Sequence, residues 1–299
     1  MSDSYRRPST HVVRWIEIAL GSDARVVAVS RLFGGMTAHM DRLTIVAGAQ
    51  VFDVVLRRMA NDPWATWIID RETAALTLLA NHDLPVPRLL AADHTGDQAG
   101  VTCLLMTALP GEPLLASPDL ADCLYQTARV LVRVHDLAPA GLTATDPYGL
   151  DEQADHAWIG DPALRRAVAE AAALPTSPSA PRLVHGDFHQ LNILWSNQKI
   201  SGIVDWTYTG AGFREIDVGH CRLMLAALFS TDAAEDFLRM YEAEAGVRID
   251  PRADIRALLD FGPSWATFIP QLVAGRAPTD PQGMPARVVN VLHAALRRL

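Results

Sequence analysis

The sequence predicts an α+β protein with a β-rich N-terminal part and a mainly helical C-terminal part. Up to about residue 108, short stretches rich in β-branched residues alternate with turn residues, which is the pattern of strands. After the Leu-Pro-Gly-Glu-Pro segment at 109–113, apolar residues recur with the period of a helix. We therefore expect two domains, 1–108 and 109–299, with the boundary at that Pro-Gly turn. A chain of 299 residues with 49% hydrophobic residues can build a core in each.

The N-terminal part begins with a helical pattern at 10–20, with Thr10 as its cap and Gly21 as its stop. A second helical pattern, at 70–83, ends before Pro85. Strand patterns are found at 25–33, 39–46, 51–59, 86–93 and 100–108. Together they predict a five-stranded antiparallel sheet with one inserted helix.

The C-terminal part contains a β-hairpin within helical surroundings. Helical patterns occur at 121–137, 163–174, 217–229 and 233–246, with two more near the C-terminus. Residues 182–210 instead predict a strand, a loop, a strand, a turn and a third strand. The third strand would end at Asp205, and the hairpin would bring Asp187, Asn192 and Asp205 together although they are separate in the sequence.

Charge and cysteine usage limit the possible partners. The net charge of −8 argues against nucleic acid or an anionic membrane as a partner. No apolar run approaches the ~18 residues of a membrane span, and the first ten residues lack the apolar run of a signal peptide. Cys103, Cys123 and Cys221 form no C-x-x-C pair, so we expect reduced, buried thiols and a cytoplasmic location.

The segment from His185 to Asp205 contains the polar groups that phosphoryl transfer requires. An acid can accept a hydroxyl proton, as Asp187 would, while an amide and a second acid, Asn192 and Asp205, offer hard oxygens to Mg²⁺. In protein kinases, an aspartate followed five residues later by an asparagine, and then by another aspartate, performs these tasks.

These motifs resemble the aminoglycoside phosphotransferase and choline kinase family. The resemblance rests on H-G-D-x-x-x-x-N at 185–192 followed by Ile-Val-Asp-Trp, and it extends to the strand Val-Val-Leu-Arg-Arg, to the helix beginning Arg-Glu-Thr-Ala-Ala and to Arg-Glu-Ile-Asp at 214–217. It implies a two-lobed, protein-kinase-like fold that binds ATP and Mg²⁺. It also implies transfer of the γ-phosphate to a hydroxyl of a small molecule.

The resemblance implies a role for each matching residue. Asp187 would be the general base, and Asn192 and Asp205 would bind Mg²⁺. His185, His189 and Asp217 would support the catalytic loop. ATP would be bound by Arg57 on the third strand, which Glu72 would orient, and by Gly34 and Gly35 in the nucleotide loop. Its adenine would contact backbone groups of the hinge at Thr107 and Leu109.

Two departures from the family pattern concern the nucleotide side. Lys199 is the only lysine in the sequence, so Arg57 must replace the usual third-strand lysine. Because neighbouring strand residues face opposite sides, we expect Arg57 to point inward and Arg58 to point to solvent. The glycines are followed by Met-Thr rather than the usual Ser-Asn, which leaves the phosphate role of Thr37 open.

Two other functions stay open from the residues alone. His185, Asp187 and His189 alternate, so on one strand they could bind the metal of a metallophosphoesterase. That site would need further ligands, and His135 and His220 lie in apolar helical patterns that do not offer them. A non-catalytic nucleotide-binding module is the other alternative, since the missing lysine could mark a lost activity.

The acceptor is the least determined part. Acidic and aromatic residues could bind an aminoglycoside-like acceptor or another amino-sugar or amino-alcohol by charge and cation–π contacts. The candidates are Asp151, Asp155 and Trp158, which precede the catalytic loop, and Asp260 with Trp265 on a late helix. Solvated charges or core tryptophans are an equally good interpretation of each. The sequence leaves the oligomeric state open.

Overall fold

The computed structural model describes residues 7–32, 38–117, 119–146, 156–174, 180–273, 276 and 279–299. By its internal contacts the chain divides into two units, Met1–Pro110 and Gly111–Leu299. Gly34, Gly35, Thr37, Asp151 and Asp155 lie outside the described residues.

The first unit contains a five-stranded antiparallel sheet with the order β1-β2-β3-β5-β4. Its strands are β1 Ala24–Leu32, β2 His39–Ala47, β3 Gln50–Met59, β4 Leu89–Asp93 and β5 Thr102–Thr107. Helix α1, Thr10–Leu20, packs Trp15 and Ile16 onto the face of the sheet that contains Leu43 and Leu56. Its cap is Ser9, whose hydroxyl accepts the Val12 N–H, rather than the predicted Thr10.

The second helix of this unit, α2, spans Pro63–Leu79 and so begins seven residues before the predicted start at residue 70. Its start is defined by Asp62, which accepts the Ala65 N–H, and by Pro63 in the first turn. A Trp-Ile-Ile run follows them, and these residue types are typical of strands. The apolar pattern therefore did not indicate a helix before residue 70.

The second unit is mainly helical. Among the described residues its helices are α3 Leu120–His135, α4 Pro162–Ala173, α5 Arg214–Leu228, α6 Thr231–Ala245, α7 Pro251–Leu258, α8 Trp265–Val273 and α9 Met284–Leu296. The sequence therefore predicted one helix too few after α6. Helix α5 is buried along almost its whole length, and it packs against α6, α7 and α9. No helix within the described ranges is long and apolar enough to cross a membrane.

The described residues of this unit also contain two small sheets. The strands are β6 Glu112–Pro113, β7 Arg182–Val184, β8 Ile193–Ser196, β9 Lys199–Ile203 and β10 Gly210–Gly212. They pair in the orders β6-β8-β9 and β7-β10. The hairpin β8–β9 is the predicted one, whereas β6 and β10 are too short for a sequence pattern to reveal.

Candidate active site

The loop after β7 turns sharply because of Gly186. This glycine has φ +82°, and a Cβ at its position would lie 2.3 Å from the Tyr208 carbonyl oxygen. Any other residue would therefore meet both a disfavoured backbone conformation and a clash. The close approach of the Tyr208 backbone places the loop beside the segment that follows Asp205.

Asp217, near the start of α5, fixes the backbone of this loop. Its carboxylate accepts the N–H groups of His185 at 2.7 Å and of Gly186 at 2.8 Å. It also contacts the ring Nε2 of His135 on α3 at 3.0 Å, and the other ring nitrogen of His135 contacts the Tyr241 hydroxyl. Asp217 and His135 are fully buried, so the loop is attached to two helices through a dry hydrogen-bond network.

His185 and His189 each accept a hydrogen bond from the backbone N–H two residues later in the chain. Nδ1 of His185 accepts the Asp187 N–H at 3.2 Å, and Nδ1 of His189 accepts the Leu191 N–H at 3.2 Å. Because a backbone N–H can only donate, the ring proton of each neutral histidine must lie on Nε2. Burial lowers the pKa of His185, which keeps this ring neutral, and its Nε2–H donates to the Val204 carbonyl at 3.0 Å.

The Asp187 carboxylate lies at the centre of the site, and its side chain is 24% exposed. Its Oδ1 is 3.4 Å from Nε2 of His189 and 3.1 Å from Nε2 of His220, and Asn192 Nδ2 donates to its Oδ2 at 3.1 Å. Burial alone would raise the pKa of Asp187. The interactions with His189 and then His220 outweigh it, so the pKa lies well below its usual value and the carboxylate stays ionised.

Asn192 and Asp205 are brought together by the hairpin. Ile193 pairs with Ile203 across β8 and β9, and the Val204 N–H donates to the Asn192 carbonyl at 2.9 Å. The sequence placed Asp205 at the end of a strand, which is wrong. The strand ends at Ile203, and Asp205 lies in the left-handed conformation with φ +68°.

This arrangement suits a hard cation. The Asn192 amide nitrogen donates to Asp187, both to its carbonyl and to its Oδ2, so the amide oxygen is directed away from Asp187. Asp205 adds a half-buried carboxylate that accepts one hydrogen bond from Thr207 at 3.1 Å. An amide oxygen and a carboxylate that flank the paired strands β8 and β9 are ligands that Mg²⁺ accepts, so the residues present fit the ion.

The geometry argues against the metallophosphoesterase alternative. The predicted row of His185, Asp187 and His189 does not form, because the segment is a loop and a 3₁₀ turn, and the His185 ring turns toward Val204. Asp187, His189 and His220 do present candidate ligand atoms within 4.8 Å of one another. However, a metal on Nε2 of His189 would require the ring proton on Nδ1, where the Leu191 N–H already donates.

His220 is the site residue that the sequence analysis missed. Its apolar helical surroundings suggested a core position, and the side chain is indeed 5% exposed, but its ring contacts Asp187. The available signal was its spacing from Asp217. Residues three apart share one face of a helix, so a helix that holds the loop through Asp217 also directs residue 220 toward it.

In the first unit, Arg57 and Glu72 form a buried ion pair. Arg57 Nε lies 2.8 Å from Glu72 Oε2, which joins β3 to α2. The expectation that Arg58 points to solvent is wrong, since it is 7% exposed and donates to the fully buried Asp41 at 2.7 and 2.9 Å. Arg58 shares the Leu56 face of β3, and α1 covers that face.

The two predicted adenine-contact positions lie at the end of this sheet. Thr107 ends β5, and its backbone N–H and hydroxyl bind the backbone of Arg88 at 2.9 Å each. Leu109 follows in a half-buried position. The adenine contact of each stays a prediction.

The structure connects the described acceptor candidates. Phe261 packs between Trp158 and Trp265, with ring centroids 4.8 and 5.6 Å away. Asp260 precedes Phe261 in the connection between α7 and α8, not on a helix as predicted. Its carboxylate reaches solvent. The pKa of Asp260 is raised, chiefly by burial, while His220 acts to lower it and Asp187 to raise it. Asp260 therefore interacts electrostatically with two residues of the site.

Comparison with known proteins identifies the family. Residues 41–261 match the sequence profile of the phosphotransferase enzyme family, and the chain belongs to that family. The predicted family, the two-lobed kinase-like fold and the enzyme class, a phosphotransferase acting on a hydroxyl group, are confirmed. A comparison with curated proteins found no match.

Solved structures share the fold at low sequence identity. Macrolide 2′-phosphotransferase MphH from Brachybacterium faecium is 20% identical with a TM-score of 0.60, and the alignment covers 93% of this chain and 98% of MphH. A thermostable mutant of aminoglycoside phosphotransferase APH(4)-Ia, in ternary complex with AMP-PNP and hygromycin B, is 19% identical with a TM-score of 0.61. That alignment covers 96% of this chain and 98% of the other.

Proposed function

We propose that this protein is an ATP- and Mg²⁺-dependent kinase that phosphorylates a hydroxyl of a small, amine-bearing molecule. The observation that carries the proposal is the environment of Asp187. Its ionised carboxylate is partly exposed and three donors hold it, one of them Asn192, whose backbone carbonyl accepts the Val204 N–H next to Asp205. The ternary complex of APH(4)-Ia with AMP-PNP and hygromycin B supports a nucleotide and an amino-sugar as the two substrates.

Asn192 and Asp205 would hold Mg²⁺, which supplies charge neutralisation for the triphosphate when bound. Arg57, kept in place by Glu72, would contact the phosphate oxygens, since a guanidinium can grip two oxygens at once. The inward position of Arg57 supports this role in a chain without a suitable lysine.

Asp187 would accept a hydrogen bond from the acceptor hydroxyl and direct its oxygen at the γ-phosphorus. The new oxygen–phosphorus bond forms as the bond to ADP breaks, and the hydroxyl proton passes to the Asp187 carboxylate. A carboxylate with a low pKa is a weak base. Positioning therefore matters more than proton affinity, as expected for a loose transition state.

The acceptor would be bound beside Asp260. This acid has no side-chain hydrogen bond or ion pair among the described residues, and the aromatic cluster of Trp158, Phe261 and Trp265 adjoins it. A carboxylate beside aromatic rings favours an amine that carries an apolar face. Asp151 and Asp155 stay predictions, as do the hinge positions Thr107 and Leu109.

The test is ADP release by the purified protein with Mg·ATP and a panel of amino-sugar, macrolide, amino-alcohol and neutral sugar acceptors. We expect release to depend on one acceptor class and to be lost in Asp187→Ala. Asp232→Ala, at an exposed position of α6, is the matched control and should retain full activity. If Mg·ATP raises the melting temperature of the wild type but no acceptor stimulates it, the non-catalytic nucleotide-binding alternative gains support.

A further inference from the structure

The Asp187 carboxylate is held from two directions. His189 and Asn192 belong to the same short loop as Asp187. His220 belongs to α5, a helix that is buried along almost its whole length. His220 therefore connects the Asp187 carboxylate to the buried helix α5.

Two of the contacts between helix α5 and the loop lie at Asp187 or just before it. Asp217 accepts the N–H groups of His185 and Gly186, which fixes the backbone just before Asp187. His220, one helical turn later, reaches the Asp187 side chain at 3.1 Å. The first contact fixes where the Asp187 backbone lies, and the second fixes how its carboxylate is rotated.

His189 and His220 also make the two oxygens of the Asp187 carboxylate unequal, because both histidines contact the same one. Nε2 of His189 and Nε2 of His220 both approach Oδ1, at 3.4 and 3.1 Å. A carboxylate oxygen has two lone pairs in its plane, so two ring N–H donors saturate Oδ1. The oxygen that can receive a further donor is then Oδ2, on the side of Asn192.

We propose that His220 is a positioning residue that holds the Asp187 carboxylate in the rotamer in which Oδ2 receives the acceptor hydroxyl. This inference rests on the proposed kinase function. His220 acts through Asp187 and touches neither substrate. Its removal changes the aim of the carboxylate and leaves the nucleotide-binding groups in place.

The kinetic test compares His220→Leu, which removes the donor, with His220→Gln, which keeps a nitrogen donor at the position of Nε2. We expect kcat to fall by about 10–100-fold in the leucine variant, as misplacement of a reacting group by about 1 Å can cost ~100-fold. KM for ATP should stay within about twofold, and the glutamine variant should recover most of kcat. His82→Leu, at an exposed position after α2, is the matched control.

A double-mutant cycle separates positioning from a general structural role. In an Asp187→Ala background, His220→Leu should lower the residual rate by less than about twofold, because the two residues act as one unit. An equal loss in both backgrounds overturns the proposal. A glutamine variant as slow as the leucine variant, with unchanged thermal stability in both, also overturns it.

Crystal structures of the wild type and of His220→Leu give a readout that does not depend on turnover. The Asp187 carboxylate should rotate in the leucine variant, while the Asp217 contacts to the loop backbone persist. An unrotated carboxylate refutes the proposal even if no acceptor is found. Conversely, a wild type without acceptor-dependent activity refutes the proposed function. The comparison of the two crystal structures then decides the role of His220.

Discussion

Two aspartate–histidine pairs in the second unit use the same chemistry for different ends. Asp217 is fully buried, and its oxygens bind two backbone N–H groups and His135. Asp187 is bound by His220, His189 and Asn192, but a quarter of its side chain meets solvent. The difference is access. A saturated, dry carboxylate fixes the fold, whereas a carboxylate held by donors on its inner side can still receive a substrate.

Removing each aspartate should separate these two roles, and the largest effect is expected on catalysis. Asp187→Asn keeps the volume but loses the negative charge and one acceptor, so kcat should fall by about 10²–10⁴-fold. Mg·ATP affinity should stay within a few-fold in equilibrium titrations. Turnover near the wild-type rate in this variant would refute the assignment of Asp187.

Asp217→Ala should act on stability. It leaves two buried N–H groups of the loop and the His135 ring without their acceptor. The free energy of unfolding in urea should fall by about 3–5 kcal/mol, the cost of breaking a buried polar pair. Asp232→Ala is the control, and a loss of no more than about 1 kcal/mol is expected there, because Asp232 only faces the positive end of the α6 dipole. Loss of activity at wild-type stability would instead place Asp217 among the catalytic groups and remove the contrast.

The two arginines of β3 allow the same contrast to be tested in the first unit. Arg57→Lys keeps the charge but loses the planar fork, so kcat/KM for ATP should fall by about 10–100-fold, in proportion to one charge-assisted hydrogen bond. Arg58→Lys should lower the melting temperature with kcat/KM almost unchanged, because Arg58 is bound to the buried Asp41. The reverse result would show that Arg58 is the phosphate contact.

The sequence predicted what depends on local pattern. Strand and helix periods gave the five-stranded sheet, α1 and the hairpin, and the spacing of Asp187, Asn192 and Asp205 indicated a shared site. These signals lie within single elements or within one short loop, where the chain itself sets the geometry.

The sequence could not show what depends on packing between distant elements. Arg58 is buried because α1 covers its face of the sheet, and the sequence around Arg58 does not show that a helix packs there. His220 resembles a core residue until α5 is known to run beside the loop. The left-handed conformation of Asp205 is likewise imposed by the turn that follows β9.

Asp260 is a carboxylate without a hydrogen-bond donor or ion-pair partner among the described residues, and the smallest effect is expected there. Asp260→Asn should raise KM for a cationic acceptor up to about fivefold, as for a partly exposed ion pair, and leave kcat unchanged.

A carboxylate attracts a cation only when ionised, and burial raises the pKa of Asp260. On acidification, the wild-type KM should therefore begin to rise at a higher pH than for an ordinary aspartate, and the asparagine variant should lack that rise. A neutral acceptor provides the control, because its KM should not respond to either change. If KM for the cationic acceptor is equal in both proteins at all pH values, Asp260 is a solvated charge and the amine is bound elsewhere.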